Sequence, residues 1–563
     1  MILFAQHRLF ALLLLTALLV ACGGGEGTEG KAVADPDDGV LAGLLAAPVT
    51  EEQATRFLWK SAFGPTDESI ALVRRLGYAG FVDRQLNLQT SQYSNYLMEP
   101  YGYPGRTELD GQCAQHGTES TRVCLEWIYE KQRAPSVIFF KSAVHDPDQL
   151  RLRVAFALSQ ILVVSMNLDY RTAYGMRSYQ QMLRNMAFGN YRDVLMAITM
   201  HPYMGAWLDH AKNTRQAPNQ NFARELLQLF SVGTYLLNQD GTYQLNARGE
   251  LQETYTEAHV RDFSRALTGW TYPASFMGAN LTQADDSHDT GSKTLLRGQI
   301  LPANQSTTAD LQGVIDNVFN HPNTGPYVCR QLIQFLVTSN PSPAYVARVV
   351  KVFNKNSSNA RGDLKAVVRA ILLDSEALNP PDAAGRLLEP AIASAGLVRA
   401  VGGASDGAYL DEMSFAQGQR PFAAPSVFNF YSFQYQLPVN GRRLQAPQFA
   451  IATLPAVTAR LQYLDNLLSA GGAPADTSLP QGYRSGTQLS FPARWLQLAG
   501  TNVDALVDML NVRLAGGVLT PASRNLIAAQ VKALPGVSSQ DQRGRVALAI
   551  FMVAATPHFM THR

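Results

Sequence analysis

Four cysteines in 563 residues exclude a disulfide-framed scaffold. Charge is scarce: Asp, Glu, Lys and Arg make up 16% of the chain, and 47 basic residues face 45 acidic ones. So balanced a chain offers no basic field to recruit nucleic acid. No apolar run reaches the roughly 20 residues that a membrane-spanning helix needs. Familiar catalytic signatures are missing as well, since G-x-S-x-G, a P-loop, a dinucleotide fingerprint, H-E-x-x-H and Cys-x-x-Cys do not occur. Any active site is therefore assembled from residues scattered along the chain.

The first residues, "MILFAQHRLFALLLLTALLVACGGGEGTEG", have the form of a leader. A single Arg8 precedes an apolar run from Leu9 to Val20, too short for a bilayer span but suited to a signal peptide over 1–21. Small residues lead into Cys22 in the manner of a bacterial lipobox, which predicts lipidation there; an ordinary secretory cleavage beside an incidental cysteine is the alternative. Gly23 stands where an inner-membrane retention signal carries Asp, so the outer membrane is the expected anchor. Residues 22–49 read as a flexible Gly- and Ala-rich tether. In an oxidising compartment Cys113 and Cys124, close together in a loop-rich stretch, are expected to bridge. Cys329 is then a lone thiol in a helical, apolar context, best read as a small core residue.

From Thr50 onward helical periodicity dominates. "DQLRLRVAFALSQILVVS", "GMRSYQQMLRNMAFG", "TEAHVRDFSRALTGW", "GPYVCRQLIQFLVTS" and "DLKAVVRAILLD" all space their apolar residues at 3.6. Strand signals are few; Asp240-Gly241 in "TYLLNQDGTYQLN" marks a hairpin. The expected fold is all-α, a large multi-helical domain with a small β-hairpin insertion and long irregular loops. A Pro-rich break, "ALNPPDAAG", divides a helical block at 50–380 from a second at 381–563, the two packed as one unit. The second block holds "PFAAPSVFNFYSFQYQLPVNGRRLQAPQF", and loops of that length are often functional.

Polar residues gather at two places. "APNQNFARELLQLFSVGTY", residues 217–235, puts Asn221, Arg224, Glu225 and Gln228 on one helical stripe opposite a broad apolar arc. A solvated face is the plain reading. The neighbouring "HPYMGAWLDHAKN" adds His201, Asp209, His210 and Asn213, which are groups able to serve as acid or base or to ligate a divalent metal. The second cluster, "ADDSHDTGSK", carries Asp285, Asp286, His288, Asp289 and Lys293 in a Gly-Ser loop, either a polar turn or a holder of a metal or hydroxyl-rich ligand. His201 and His321 each precede proline and read first as helix boundaries. Asp363 reads as a helix cap. The aromatic run Phe422, Phe428, Phe430, Tyr431, Phe433 and Tyr435 either packs a core or lines a carbohydrate or peptide groove.

The stretches "NFARELLQLFSVGTY", "SRALTGW", "HDTGSKTLL", "HPNTGPYVCRQLIQFLVTSNPSPAYVARV" and "RGDLKAVVRAILLD" occur in order and together resemble the DUF 1800 family of exported bacterial proteins. The likeness runs from about Thr50 to the C-terminal "ATPHFMTHR". It implies a largely helical exported protein with no agreed activity, and a partner from a second exported, sulfatase-like family, DUF 1501. Carried onto this chain, the family's characteristic positions are Asn219, Asn221, Arg224 and Glu225, then Gly269 and Trp270, then His288, Asp289 and Lys293. Two positions depart from the pattern: Gln220 and Gln448 stand where the family usually reads Glu. A carboxamide takes no proton as a base and is a poorer metal ligand.

Two functions follow as expectations. One is a lipid-anchored protein that binds or scaffolds an envelope or secreted polymer with an exported partner, using Asn219, Asn221, Arg224, Trp270 and Lys293. The other is a hydrolase built on Glu225 with His288 and Asp289, with a divalent metal as an optional cofactor.

Overall fold

The computed structural model describes residues 48–94, 133–168, 173–274, 279–381, 384–476 and 484–562. The leader, Cys22 and the expected Cys113–Cys124 pair lie outside the described residues.

Ordered chain begins with a reciprocal cap. The Thr50 hydroxyl accepts from the Gln53 amide and the Gln53 side chain accepts from the Thr50 amide, starting the helix Glu51–Ser61. Thr66 and Ser69 repeat the device for the helix Asp67–Leu86. Gly77, a residue type that commonly ends a helix, here interrupts this one with φ 67° and ψ 174°. Helix resumes because Phe81, Val82 and Leu86 beyond the break bury a new apolar face.

The fold is all-α with small β insertions, as its periodicity predicts. Every named strand pairs antiparallel, in sheets of two or three short strands. The Asp240-Gly241 turn forms: Gly241 has φ 78°, and the Asn238 amide donates to Thr242 O at 2.8 Å. Pairing there is by isolated bridges, Leu237 with Tyr243, Leu245 with Leu251 and Tyr235 with Glu253, so residues 234–254 make an irregular strap in place of a regular hairpin. The regular hairpin lies elsewhere, Gln436–Val439 with Arg442–Gln445, inside the long loop region of the second block.

One buried apolar cluster runs from Ala54 to Met560 and takes residues from both sides of the Pro-rich break. Trp59 shows why the two sides are interlocked. Its ring meets Phe559 edge-on at 5.8 Å and lies over His562 at 4.6 Å, while its indole N–H donates to Arg513 O at 3.4 Å. Arg386–Leu387, just past the break, pairs with Thr561–His562 at the other end of the chain. Among the described residues no helix is long and apolar enough to cross a membrane.

Candidate functional site

The polar stripe belongs to a helix, Asn221–Gln228, that is shorter than its sequence pattern. After Gln228 the amides of Val232 and Gly233 both reach back to Leu227 O, and Gly233 at φ 72° turns the chain out into the strap. Only glycine fits: a Cβ on Gly233 would stand 2.5 Å from the Tyr327 ring.

Asn221 and Arg224 of the stripe, and Asn219 before it, make side-chain contacts that Glu225 lacks. The Asn219 side chain accepts from the Asn221 amide at 2.8 Å, opening the helix, and the Asn219 amide donates to Asn213 Oδ1 at 2.7 Å. Asn221 Nδ2 donates to Asp209 Oδ2 at 2.9 Å. Arg224 forks onto Glu257 at 2.7 and 2.9 Å and also donates to Gln220 Oε1 at 3.1 Å. Glu225 differs from them in its burial. It is 9% exposed, and its Oε2 has no hydrogen-bond partner among the described residues. Burial raises its pKa to about 7, against the opposing pull of Arg224. The hydroxyls of Tyr255 and Tyr327 both feel its charge.

Beyond Tyr327 lies a small surface cleft of about 20 Å³. Tyr235, Tyr243, Tyr327 and Phe433 supply its aromatic walls, with Arg330 and Gln434 between them. Tyr235 meets Tyr243 edge-on at 6.1 Å, and Tyr327 meets Phe433 edge-on at 5.8 Å. Three segments distant in sequence build it: the strap, the helix Thr324–Leu336 and the loop before the hairpin of the second block. Asn323 locks the strap in place, donating to Val232 O at 2.6 Å and Tyr235 O at 2.9 Å while accepting from the Leu237 amide at 2.6 Å. The Tyr327 hydroxyl donates to Gln228 O at 2.8 Å, which ties the cleft wall to the stripe helix. Sequence reading singles out Phe433 but not Tyr235, Tyr243, Tyr327 or Arg330. Their only linear signal is the tyrosines of "GTYLLNQDGTYQ" and "GPYVCRQ" flanking the predicted turn.

The His288 cluster is a buried knot. His288 presents Nδ1 to Thr268 O at 2.9 Å and Nε2 to Asp310 Oδ2 at 3.2 Å. Lys293 Nζ donates to the same Asp310 oxygen at 2.5 Å and to the carbonyl of Asp289. Asp289 takes a fork from Arg265 at 2.9 and 3.1 Å. Burial works to raise its pKa, but Arg265, the Gly291 amide and Lys293 together hold it down. Gly269 is required beside the knot, since a Cβ there would stand 2.8 Å from the Cβ of His288. Trp270 is buried next to it and gives its carbonyl to the Lys212 amide at 2.7 Å.

No hydrogen bond or ion pair described joins Glu225 to His288 or Asp289. Their loops meet indirectly through Asn213, which takes the Asn219 amide on Oδ1, donates from Nδ2 to Ser264 O at 3.1 Å, and accepts from the Gly269 amide at 2.9 Å on its carbonyl. Among the described residues no group of three or more His, Cys, Asp or Glu side chains is placed to hold a metal ion. The other histidines of the region are structural: His201 caps Pro202–Trp207 through Nδ1 to the Tyr203 amide at 3.2 Å, and His321 accepts from the Asn323 amide at 3.2 Å. His210 is buried flat against Phe222 at 4.7 Å, and burial lowers its pKa to about 3.

Asp285 accepts from the Thr307 hydroxyl at 2.7 Å, and Asp363 caps the helix Leu364–Leu373. Cys329 is fully buried, and burial raises its thiol pKa above the range of a reactive cysteine. Of the aromatic run, Phe422 and Tyr431 are buried, whereas Phe428 is 54% exposed.

No curated protein and no solved structure matches the chain. A family model does match, over residues 56–561, and its description is "Protein of unknown function (DUF1800)". With nearly the whole chain covered, the protein belongs to the DUF1800 family.

Proposed function

We propose that this chain is a binding protein of the cell envelope, lipid-anchored at Cys22 in the outer membrane. It holds an envelope or secreted polymer in its aromatic cleft, alongside an exported partner of the sulfatase-like DUF 1501 kind. The observation that carries this reading is the cleft, where aromatic walls and fixed polar groups from three distant segments converge. Support comes also from the intramolecular partners to which His288, Asp289, Lys293 and Arg224 are each committed. Groups so held shape a surface more readily than they turn over a substrate.

The test is retention. Mature protein immobilised through its tether is expected to hold envelope polymer or a co-purifying partner, and Tyr243→Ala, at the cleft rim, is expected to release it. Equal retention by wild type and Tyr243→Ala sinks the assignment to the cleft.

A second reading rests on Glu225 alone. A buried carboxyl with a pKa near 7 and a free oxygen has the makings of a general acid or base for hydrolysis. In this reading His288 and Asp289 act as supports of the neighbouring loop. Glu225→Gln separates the two, because it abolishes hydrolysis and leaves polymer retention intact if binding and chemistry are distinct.

A further inference from the structure

Arg330 sits in the cleft without an ionic partner. Its guanidinium donates to Gly241 O at 3.3 Å and bonds the Tyr243 hydroxyl, and among the described residues it makes no ion pair. A half-buried cation is normally matched by a carboxylate, and Arg330 keeps further N–H donors for a planar anion. Around it stand ring faces and fixed hydrogen-bonding groups: Tyr243, Phe433, and Gln434, whose Nε2 donates to the Tyr243 hydroxyl at 3.3 Å. Resting on the polymer reading above, we infer that the cleft takes an acidic polysaccharide, with Arg330 holding a ring carboxylate while Tyr243 and Phe433 pack against the apolar faces of the sugar rings.

A peptide fits less well, because many of the strap amides that could pair with one are already engaged. The amides of Leu236, Asn238 and Gln244 donate to Gln252 O, Thr242 O and Leu236 O, and that of Leu237 donates to Asn323. The amide of Thr242 is held by Asp240 at 2.9 Å. Hydroxyl-rich rings need no such edge. They need flat apolar surfaces and side-chain donors, which the cleft supplies.

The experiment is calorimetric titration of the mature protein with three probes: polygalacturonate, its neutral methyl ester, and poly-L-glutamate. Polygalacturonate is expected to bind about tenfold tighter than the ester, the worth of one charge-assisted pair. Arg330→Gln is expected to abolish that preference. Gln434→Glu puts an acid on an exposed position beside Tyr243, so folding is not at issue; it is expected to weaken polygalacturonate about tenfold and leave the ester unchanged.

Equal binding of acid and ester, or indifference of polygalacturonate to Gln434→Glu, overturns the carboxylate assignment; if Tyr243→Ala still removes both polymers, the cleft reading survives. Poly-L-glutamate binding as tightly as polygalacturonate overturns the saccharide class. Binding of neither sugar polymer overturns this inference, while retention of native envelope material by the immobilised protein decides the broader reading separately.

Discussion

Glu225 makes stability depend on pH in a direction opposite to that of an ordinary paired carboxylate. Its pKa rises from 4.5 to about 7 on folding because burial penalises the charged form more than Arg224 favours it. The folded state therefore binds the proton more tightly than the unfolded state. The stabilisation is complete below pH 4.5 and is lost as pH climbs through the folded value near 7. A shift of about 2.5 units at about 1.4 kcal/mol each amounts to roughly 3 kcal/mol. Glu225→Gln keeps the shape and a neutral polar group but does not titrate. Urea unfolding followed by tryptophan fluorescence, run on both proteins at several pH values from 4 to 8.5, isolates this one group in the difference between them. The two are expected to unfold alike near pH 4, and the variant to be the more stable by up to roughly 3 kcal/mol at pH 8.5. A difference that stays flat across the range, or that favours the variant at acid pH, refutes the assignment of a raised pKa to Glu225.

Other perturbations test the scaffold around the site. Asp310→Ala removes the carboxylate shared by His288 and Lys293, both buried, and is expected to cost about 3 to 5 kcal/mol in urea unfolding. Gly233→Ala combines a left-handed backbone with a 2.5 Å approach to Tyr327. A loss of about 2 kcal/mol or more is expected, and a neutral effect would mean that Tyr327 moves freely. Asn323→Ala deletes two hydrogen bonds to the strap and one to Val232 just before it, each worth about 1 kcal/mol. Amide exchange should then accelerate at Leu237, while the helix Leu364–Leu373 keeps its protection.

Helices were legible because their evidence is local. The capping residues Thr50, Thr66, Asp363 and Thr256 announce starts that the structure keeps, and apolar spacing gives the buried faces. Gly77 misleads since a glycine signals a break and carries no information about the chain beyond it. The stripe helix is overlong in the sequence for a related reason: "LFSVGTY" continues the apolar period past Gln228, and only Gly233 against Tyr327 shows the chain leaving. Glu225 was legible as a candidate, but its isolation was not, because desolvation depends on tertiary packing that a helical stripe does not record. The cleft was least legible of all. Tyr235, Tyr327 and Phe433 lie 92 and 106 residues apart, and no pattern in the linear chain says that their rings meet.

The two carboxamides expected to stand where the family carries glutamate have different surroundings in the fold. Gln220 only accepts a hydrogen bond from Arg224, a task that an amide oxygen performs as a carboxylate would, with less charge assistance. At 448 the change reaches into a buried network. Gln448 is 1% exposed and contacts Tyr431, in a cluster where Glu389 accepts from Gln160 at 2.8 Å and Gln419 at 2.9 Å. Arg386 and Arg153 both feel that one carboxylate. Burial, with mutual repulsion added, drives the pKa of Arg153 down to about 9, and burial lowers that of Arg386. A second acid at 448 would balance two buried guanidiniums, whereas an amide leaves one in excess. At 448 the amide therefore leaves Glu389 to offset both guanidiniums, in the cluster that Tyr431 joins to the Phe433 loop.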